Sequence, residues 1–221
     1  MELSVTNEKN VESLFLQPHS SIIRIWHWLT FLLISLSIVT VILNSTVLNP
    51  RNNEGAVRDQ LKEQNITINE RQAFFLAHHF DDQLWDLHKF LGIGISILVL
   101  LRIIAELLVP AGEKIKSRLT HAIKLSRDEA GKKEDARHYV IVKATYSIFY
   151  LVILIMAVTG ISMAFGRELG ISGPLHHTIK EFHGALQWVV YLFLIFHTGG
   201  VILADLGKAK GIVSGMIHGN R

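Results

Sequence analysis

The chain has 221 residues, of which 49% are hydrophobic and 19% charged, with a net charge of +3 and no cysteine. Soluble domains carry about 25% charged residues, so the composition excludes an ordinary soluble domain, and the abundance of apolar surface excludes global disorder. The missing cysteine removes disulfides, thiolate metal sites and iron–sulfur clusters, and a mild positive charge without basic residues interleaved with aromatics gives nucleic-acid binding no support.

A membrane-spanning helix needs roughly 20 mostly apolar residues. Four stretches meet that requirement, at about 25–43, 87–109, 140–165 and 185–206. Residues 1–221 are therefore read as one all-α transmembrane domain, a four-helix bundle in membrane lipid with no internal repeat. The first stretch is preceded by Glu2, Glu8 and Glu12 and followed by no small-residue cleavage site. It is read as an internal signal anchor, not a cleaved leader. The second carries Arg102 and Glu106 near its end, and the third carries Lys143 near its start, where a lysine snorkels to the interface.

Orientation follows from the cations between the spans. Lys9 and Arg24, the eight cations Lys114, Lys116, Arg118, Lys124, Arg127, Lys132, Lys133 and Arg137, and Lys208, Lys210 and Arg221 place thirteen on one side. The other side has six: Arg51, Arg58, Lys62, Arg71, Arg167 and Lys180. Both termini are expected on the cytoplasmic side of the membrane. The polar segment 44–84 is expected as an outward-facing loop.

Of the 12 histidines, four fall at span positions. An ionisable residue inside a span is costly and points to function. His27 lies at the cytoplasmic start of the first span and His88 at the outer start of the second. His183 and His197 both lie on the fourth, fourteen residues apart. That separation is about 21 Å of helix and within roughly 40° of whole turns, so the two imidazoles share a face at two depths. The simplest pairing is His27 with His197 and His88 with His183. Two imidazole pairs in one bundle suit two six-coordinate haems, held without thioether bonds since no cysteine exists. A metal or proton pathway through the same histidines is the competing reading. Gly92, Gly94, Gly184, Gly199 and Gly200 sit beside these histidines. They allow either close approach of a flat macrocycle or ordinary helix packing.

The segment Ile23-Arg24-Ile25-Trp26-His27-Trp28-Leu29-Thr30 resembles the start of the b-type cytochrome subunit of membrane nickel–iron hydrogenases and of the wider bacterial cytochrome b561 superfamily. Leu87-His88-Lys89-Phe90-Leu91-Gly92 is similar to that family's second span. Phe182-His183-Gly184, Phe196-His197, Ala204-Asp205 and Gly215-Met216-Ile217-His218-Gly219 are similar to its fourth span and C-terminal signature. Gly184 departs from the Glu or Arg that members often carry there. The resemblance covers all four spans. It implies that His27, His88, His183 and His197 are the axial ligands of two non-covalent haems b. It also implies electron transfer across the membrane between a periplasmic-side redox partner, such as a dehydrogenase, hydrogenase or cytochrome, and the quinone pool. A self-sufficient superoxide:quinone oxidoreductase of the same superfamily is the alternative, and a histidine-based metal or proton transporter a third.

Arg24 and Arg102 are candidates for pairing haem propionates, which suit a bidentate guanidinium, or for positive-inside anchors. Lys89 and Lys180 are weaker candidates for an outer propionate. His78-His79 and His176-His177 are expected in outer loops, as exposed polar residues or, with Asp81, Asp82 and Asp86, as a metal or docking site. Met216 and His218 are expected to line a quinone pocket or to form an amphipathic surface turn. Trp26, Trp28, Trp85 and Trp188 are read as interfacial belt residues.

Overall fold

The computed structural model describes residues 20–108, 133–207 and 210–219, with side chains of 133–140, 142 and 143 left aside. Lys9, Val109, the cations at 114–132, Lys208 and Arg221 lie outside the described residues, as do the side chains of Lys133, Arg137 and Lys143. Six helices follow in order: α1 Ser21–Ser45, α2 Pro50–Glu63, α3 Glu70–Leu108, α4 Lys133–Ala164, α5 Gly173–Leu206 and α6 Ile212–His218. The described residues contain no strand.

Four of these helices are long and apolar enough to cross a membrane: α1, α3, α4 over Ala144–Ala164, and α5. Their large apolar side chains face outward, as with Phe196 at 73% and Leu203 at 73% exposure. In water such a surface would be a binding liability; in a bilayer it is the lipid contact.

Local chemistry sets the helix ends. The Ser20 side chain accepts from Ile23 N at 3.4 Å and opens α1. Asn49 caps α2 with Pro50 at its first position. Asn69 and Gln72 bond reciprocally, each backbone N–H to the other's side-chain oxygen at 2.9 Å, and open α3 as a capping box.

The segment expected as an outward loop is thus largely helical. Most of it is α2 and the first fifteen residues of α3. α3 has 39 residues, about 58 Å of helix, against a hydrocarbon core of about 30 Å. The surplus carries the helix beyond the apolar span, where Ala73 and Ala77 are buried and α2 packs along it. His78-His79 and His176-His177 consequently stand on α3 and α5 and not in loops.

α1 packs on α3, α3 on α4, and α4 on α5. α5 makes no comparable approach to α1 or α3. The buried core is a thin layer to which every spanning helix contributes: Ile34, Val99, Val152, Ile153 and Val190. Val190 is seven residues from both His183 and His197, about 10 Å along the helix in each direction. The apolar layer therefore lies between two histidine levels.

Candidate functional site

The first level is at the end of the bundle that carries the start of α1 and the short α6. The ring centroids of His27 and His197 are 6.2 Å apart. His197 stacks on Phe193 at 5.5 Å and 7°, and Phe193 stacks in turn on Phe149 at 3.6 Å and 9°. The Tyr146 ring meets His197 edge-on at 5.8 Å, and Trp28 meets His27 edge-on at 5.5 Å. Aromatic faces thus set the direction of His197.

The second level is at the opposite end. It carries His88 on α3 and His183 on α5. Hydroxyl groups hold both. His88 Nδ1 is 2.9 Å from Thr40 Oγ1 and 3.2 Å from Ser37 Oγ, and His183 Nδ1 is 2.8 Å from Thr159 Oγ1. The Trp85 ring lies edge-on to His88 at 5.5 Å. Asn44, buried at 4% exposure, ties α1 to this region. With its amide nitrogen towards α3 it donates to Asp81 Oδ1 at 3.2 Å, and its oxygen accepts from Trp85 Nε1 at 3.3 Å.

The His27 and His197 rings are thus brought together, and His88 and His183 stand at the same end of the bundle, each pair on helices that do not pack closely on one another. Imidazole nitrogen is a haem-iron ligand, and two observations test the fit of such a group. Thr30, one turn from His27 and 9% exposed, holds its hydroxyl buried without a hydrogen-bond partner, a state that calls for a further group nearby. A Cβ built on Gly92, Gly184, Gly199 or Gly200 would meet nothing within 4 Å, so helix packing does not account for these glycines. It does account for Gly94, whose Cβ would meet Leu33 at 3.3 Å. Gly160, which sequence reasoning passed over, lies against His183, its Cβ position 3.4 Å from the ring. The residues present fit a b-type haem held by imidazole nitrogen.

The two arginines take separate places. Arg102 reaches Glu106 at 3.7 Å and lies over the Trp26 ring at 6.0 Å. Trp26 Nε1 donates to the Leu98 carbonyl at 3.0 Å. Arg24 donates to Ser21 Oγ at 3.3 Å and lies against Gly219, just after α6. A groove of about 440 Å³ opens between α1 and α6, lined in part by Arg24, Trp28, Leu32 and Ile217. His218 is not in its wall. The Met216 carbonyl instead accepts from Trp28 Nε1 at 3.2 Å. Lys89 pairs with Asp86 at 2.7 Å.

Among the described residues one trio has metal-ligand spacing, His78, Asp81 and Asp82 on successive turns of α3. His78 Nδ1 lies 3.1 Å from Asp81 and its Nε2 3.6 Å from Asp82.

The hydroxyls of Ser37, Thr40 and Thr159 and the Phe149–Phe193 stack were missed by sequence reasoning. One signal was available: Ser37 and Thr40 are polar residues three apart inside an apolar span, and Thr40 is thirteen residues from His27. That places it about 20 Å deeper, at the level of His88.

A family model described as prokaryotic cytochrome b561 matches residues 18–219. No curated protein and no solved structure matches the chain.

Proposed function

The chain belongs to the prokaryotic cytochrome b561 family and is a membrane b-type cytochrome of electron transfer; from that premise we propose that it holds two haems b and carries electrons across a bacterial inner membrane between a periplasmic-side partner and the quinone pool. His27 and His197 would ligate one haem, and His88 and His183 the other. Haem, when bound, supplies a one-electron couple at its iron. Two protein ligands per iron leave no open coordination site, which favours electron transfer over oxygen activation.

The observation that carries this reading is the sorting of four intramembrane histidines into two pairs at two levels. The His27 and His197 rings meet at 6.2 Å at one level, and His88 and His183 share the other. The buried apolar layer of Ile34, Val99, Val152, Ile153 and Val190 lies between them. Arg24 and Arg102, both at the level of His27, are the guanidinium groups we assign to propionate oxygens; the 3.7 Å contact of Arg102 with Glu106 leaves it donors to spare. The apolar-walled groove beside Arg24 and Trp28 is where quinone would reach this level from the bilayer. The cation distribution supports a cytoplasmic side for the chain termini, and so for this level.

The test is a haem count and a reduced-minus-oxidised spectrum of the purified chain in detergent. Two haems per chain are expected. His27→Leu and His197→Leu should each remove the same one, and His88→Leu and His183→Leu the other. One haem in the parent chain, or losses that do not sort into these pairs, would overturn the assignment.

A further inference from the structure

The two histidine levels differ in what surrounds the imidazoles. A hydroxyl has one proton to give. Thr40 Oγ1 gives its proton to the Ser37 carbonyl at 2.6 Å. Thr159 Oγ1 gives its own to the Ile155 carbonyl at 2.8 Å, shared with Met156 at 3.1 Å. Each hydroxyl therefore meets its histidine only as an acceptor. The 2.9 Å contact to His88 and the 2.8 Å contact to His183 require a proton on Nδ1 in both rings. A neutral imidazole with Nδ1–H has its lone pair on Nε2. Both rings are thus fixed in one tautomer and one orientation, with Nε2 as the nitrogen free to bind a metal. Donation from Nδ1–H also makes Nε2 more basic. At the other level His197 is held by the Phe193 and Tyr146 rings, which accept no comparable hydrogen bond.

We propose that Thr40 and Thr159 are positioning residues that lock His88 and His183 as Nδ1–H tautomers, and so lower the reduction potential of the haem at that level below its value without these hydroxyls. This rests on the reading of His88 and His183 as axial ligands. A more basic ligand favours ferric iron over ferrous, so loss of the hydroxyls raises the potential.

The experiment is a redox titration of the full chain followed by visible spectroscopy, comparing the parent with Thr40→Val/Thr159→Val and Thr40→Ser/Thr159→Ser. Valine keeps the shape and removes the threonine acceptors, leaving His88 only its longer 3.2 Å contact with Ser37 Oγ; serine keeps the acceptors. The valine pair should shift one midpoint upward by about tenfold in the reduction equilibrium, the scale of modest net hydrogen bonds, or about 59 mV for a one-electron couple. The component that moves should be the one retained in His27→Leu, and the serine pair should leave both midpoints in place. If the valine pair sheds that haem and the serine pair keeps it, the tautomer lock is supported in its stronger form. Two unmoved midpoints in a fully loaded valine pair would overturn the proposal, as would equal haem loss with valine and serine. His88→Leu separates the two levels of failure. If it removes a haem while the valine pair changes nothing, only the lock is wrong; if it leaves both haems, the ligand assignment is wrong as well.

Discussion

The short helix α6 offers a quantitative test of how the end of the bundle near His27 is closed. Gly211 and Gly219 flank it, with φ of 85° and 82°. A left-handed residue with a Cβ costs about 1–2 kcal/mol, so alanine at either position carries the same backbone penalty. Their surroundings differ. A Cβ at Gly211 meets nothing within 4 Å, whereas one at Gly219 runs into the Arg24 guanidinium. Against these costs stand the contacts that hold α6 down. Trp28 Nε1 donates to the Met216 carbonyl at 3.2 Å, and Val213 N donates to Asp205 Oδ1 at 3.3 Å. The first is worth about 1 kcal/mol and the second, to a carboxylate, about 1.5–3 kcal/mol.

Gly211→Ala should therefore weaken α6 docking by about 1 kcal/mol and raise its undocked fraction about fivefold. Gly219→Ala should weaken it by about 2 kcal/mol, because Arg24 must also leave its place, and raise that fraction about thirtyfold. Hydrogen–deuterium exchange of the 212–218 amides, read by mass spectrometry in detergent, measures both. Removing the guanidinium with Arg24→Ala should bring the two glycine variants to the same exchange rate. Because Trp28 also packs on His27, Gly219→Ala should disturb the spectrum of the haem proposed for that level more than Gly211→Ala does. Equal exchange in the two glycine variants with Arg24 present, or a difference that survives Arg24→Ala, would refute the reasoning.

Two further outcomes are expected. Asn44→Ala strips Asp81 and Trp85 of a buried partner and should destabilise the detergent-solubilised protein by about 2–3 kcal/mol, seen as a lower midpoint in thermal unfolding; an unchanged midpoint would mean that water replaces the amide. Arg102→Leu leaves Glu106 without its 3.7 Å ion-pair partner, and since both side chains are only part-buried the cost should be about 1–2 kcal/mol, between the exposed and buried limits. Arg102→Leu/Glu106→Gln should recover most of that loss in the same assay, and failure to recover would place the role of Arg102 elsewhere.

The four spans were legible in the sequence for a simple reason, and the four span histidines stood out for a similar one. Apolar runs of spanning length and ionisable residues inside them are both rare, and each carries its own physical cost. The fourteen-residue separation of His183 and His197 translated directly into two levels because a helix converts spacing into depth and direction. The segment 44–84 was misread because its polarity was taken as loop composition. The signals for helix were present in Asn49-Pro50 and in the Asn69–Gln72 box, but a helix that leaves the bilayer needs no apolar periodicity to continue. The hydroxyl partners of His88 and His183 were illegible for another reason. A threonine in an apolar span ordinarily bonds back to its own helix, and Thr40 and Thr159 do that as well. Only the placement of α1 against α3 and of α4 against α5 shows that each has a second partner.

That placement also bears on what holds the bundle together. Lipid gives spanning helices no hydrophobic reason to associate, so packing and polar contacts between helices must do it. Trp26 to Leu98, Thr40 to His88 and Asn44 to Asp81 all join α1 to α3. Thr159 to His183 joins α4 to α5. The polar ties thus define two helix pairs, connected by the packing of α3 on α4 and by the thin apolar layer. Both histidine pairs cross from one helix pair to the other, His27 and His88 from the first and His183 and His197 from the second. Under the proposed ligation each iron bridges the two halves along the line where α5 stands apart from α1 and α3. Cofactor binding and bundle cohesion would then depend on the same four side chains, and loss of one ligand should loosen α5 as well as empty a redox centre.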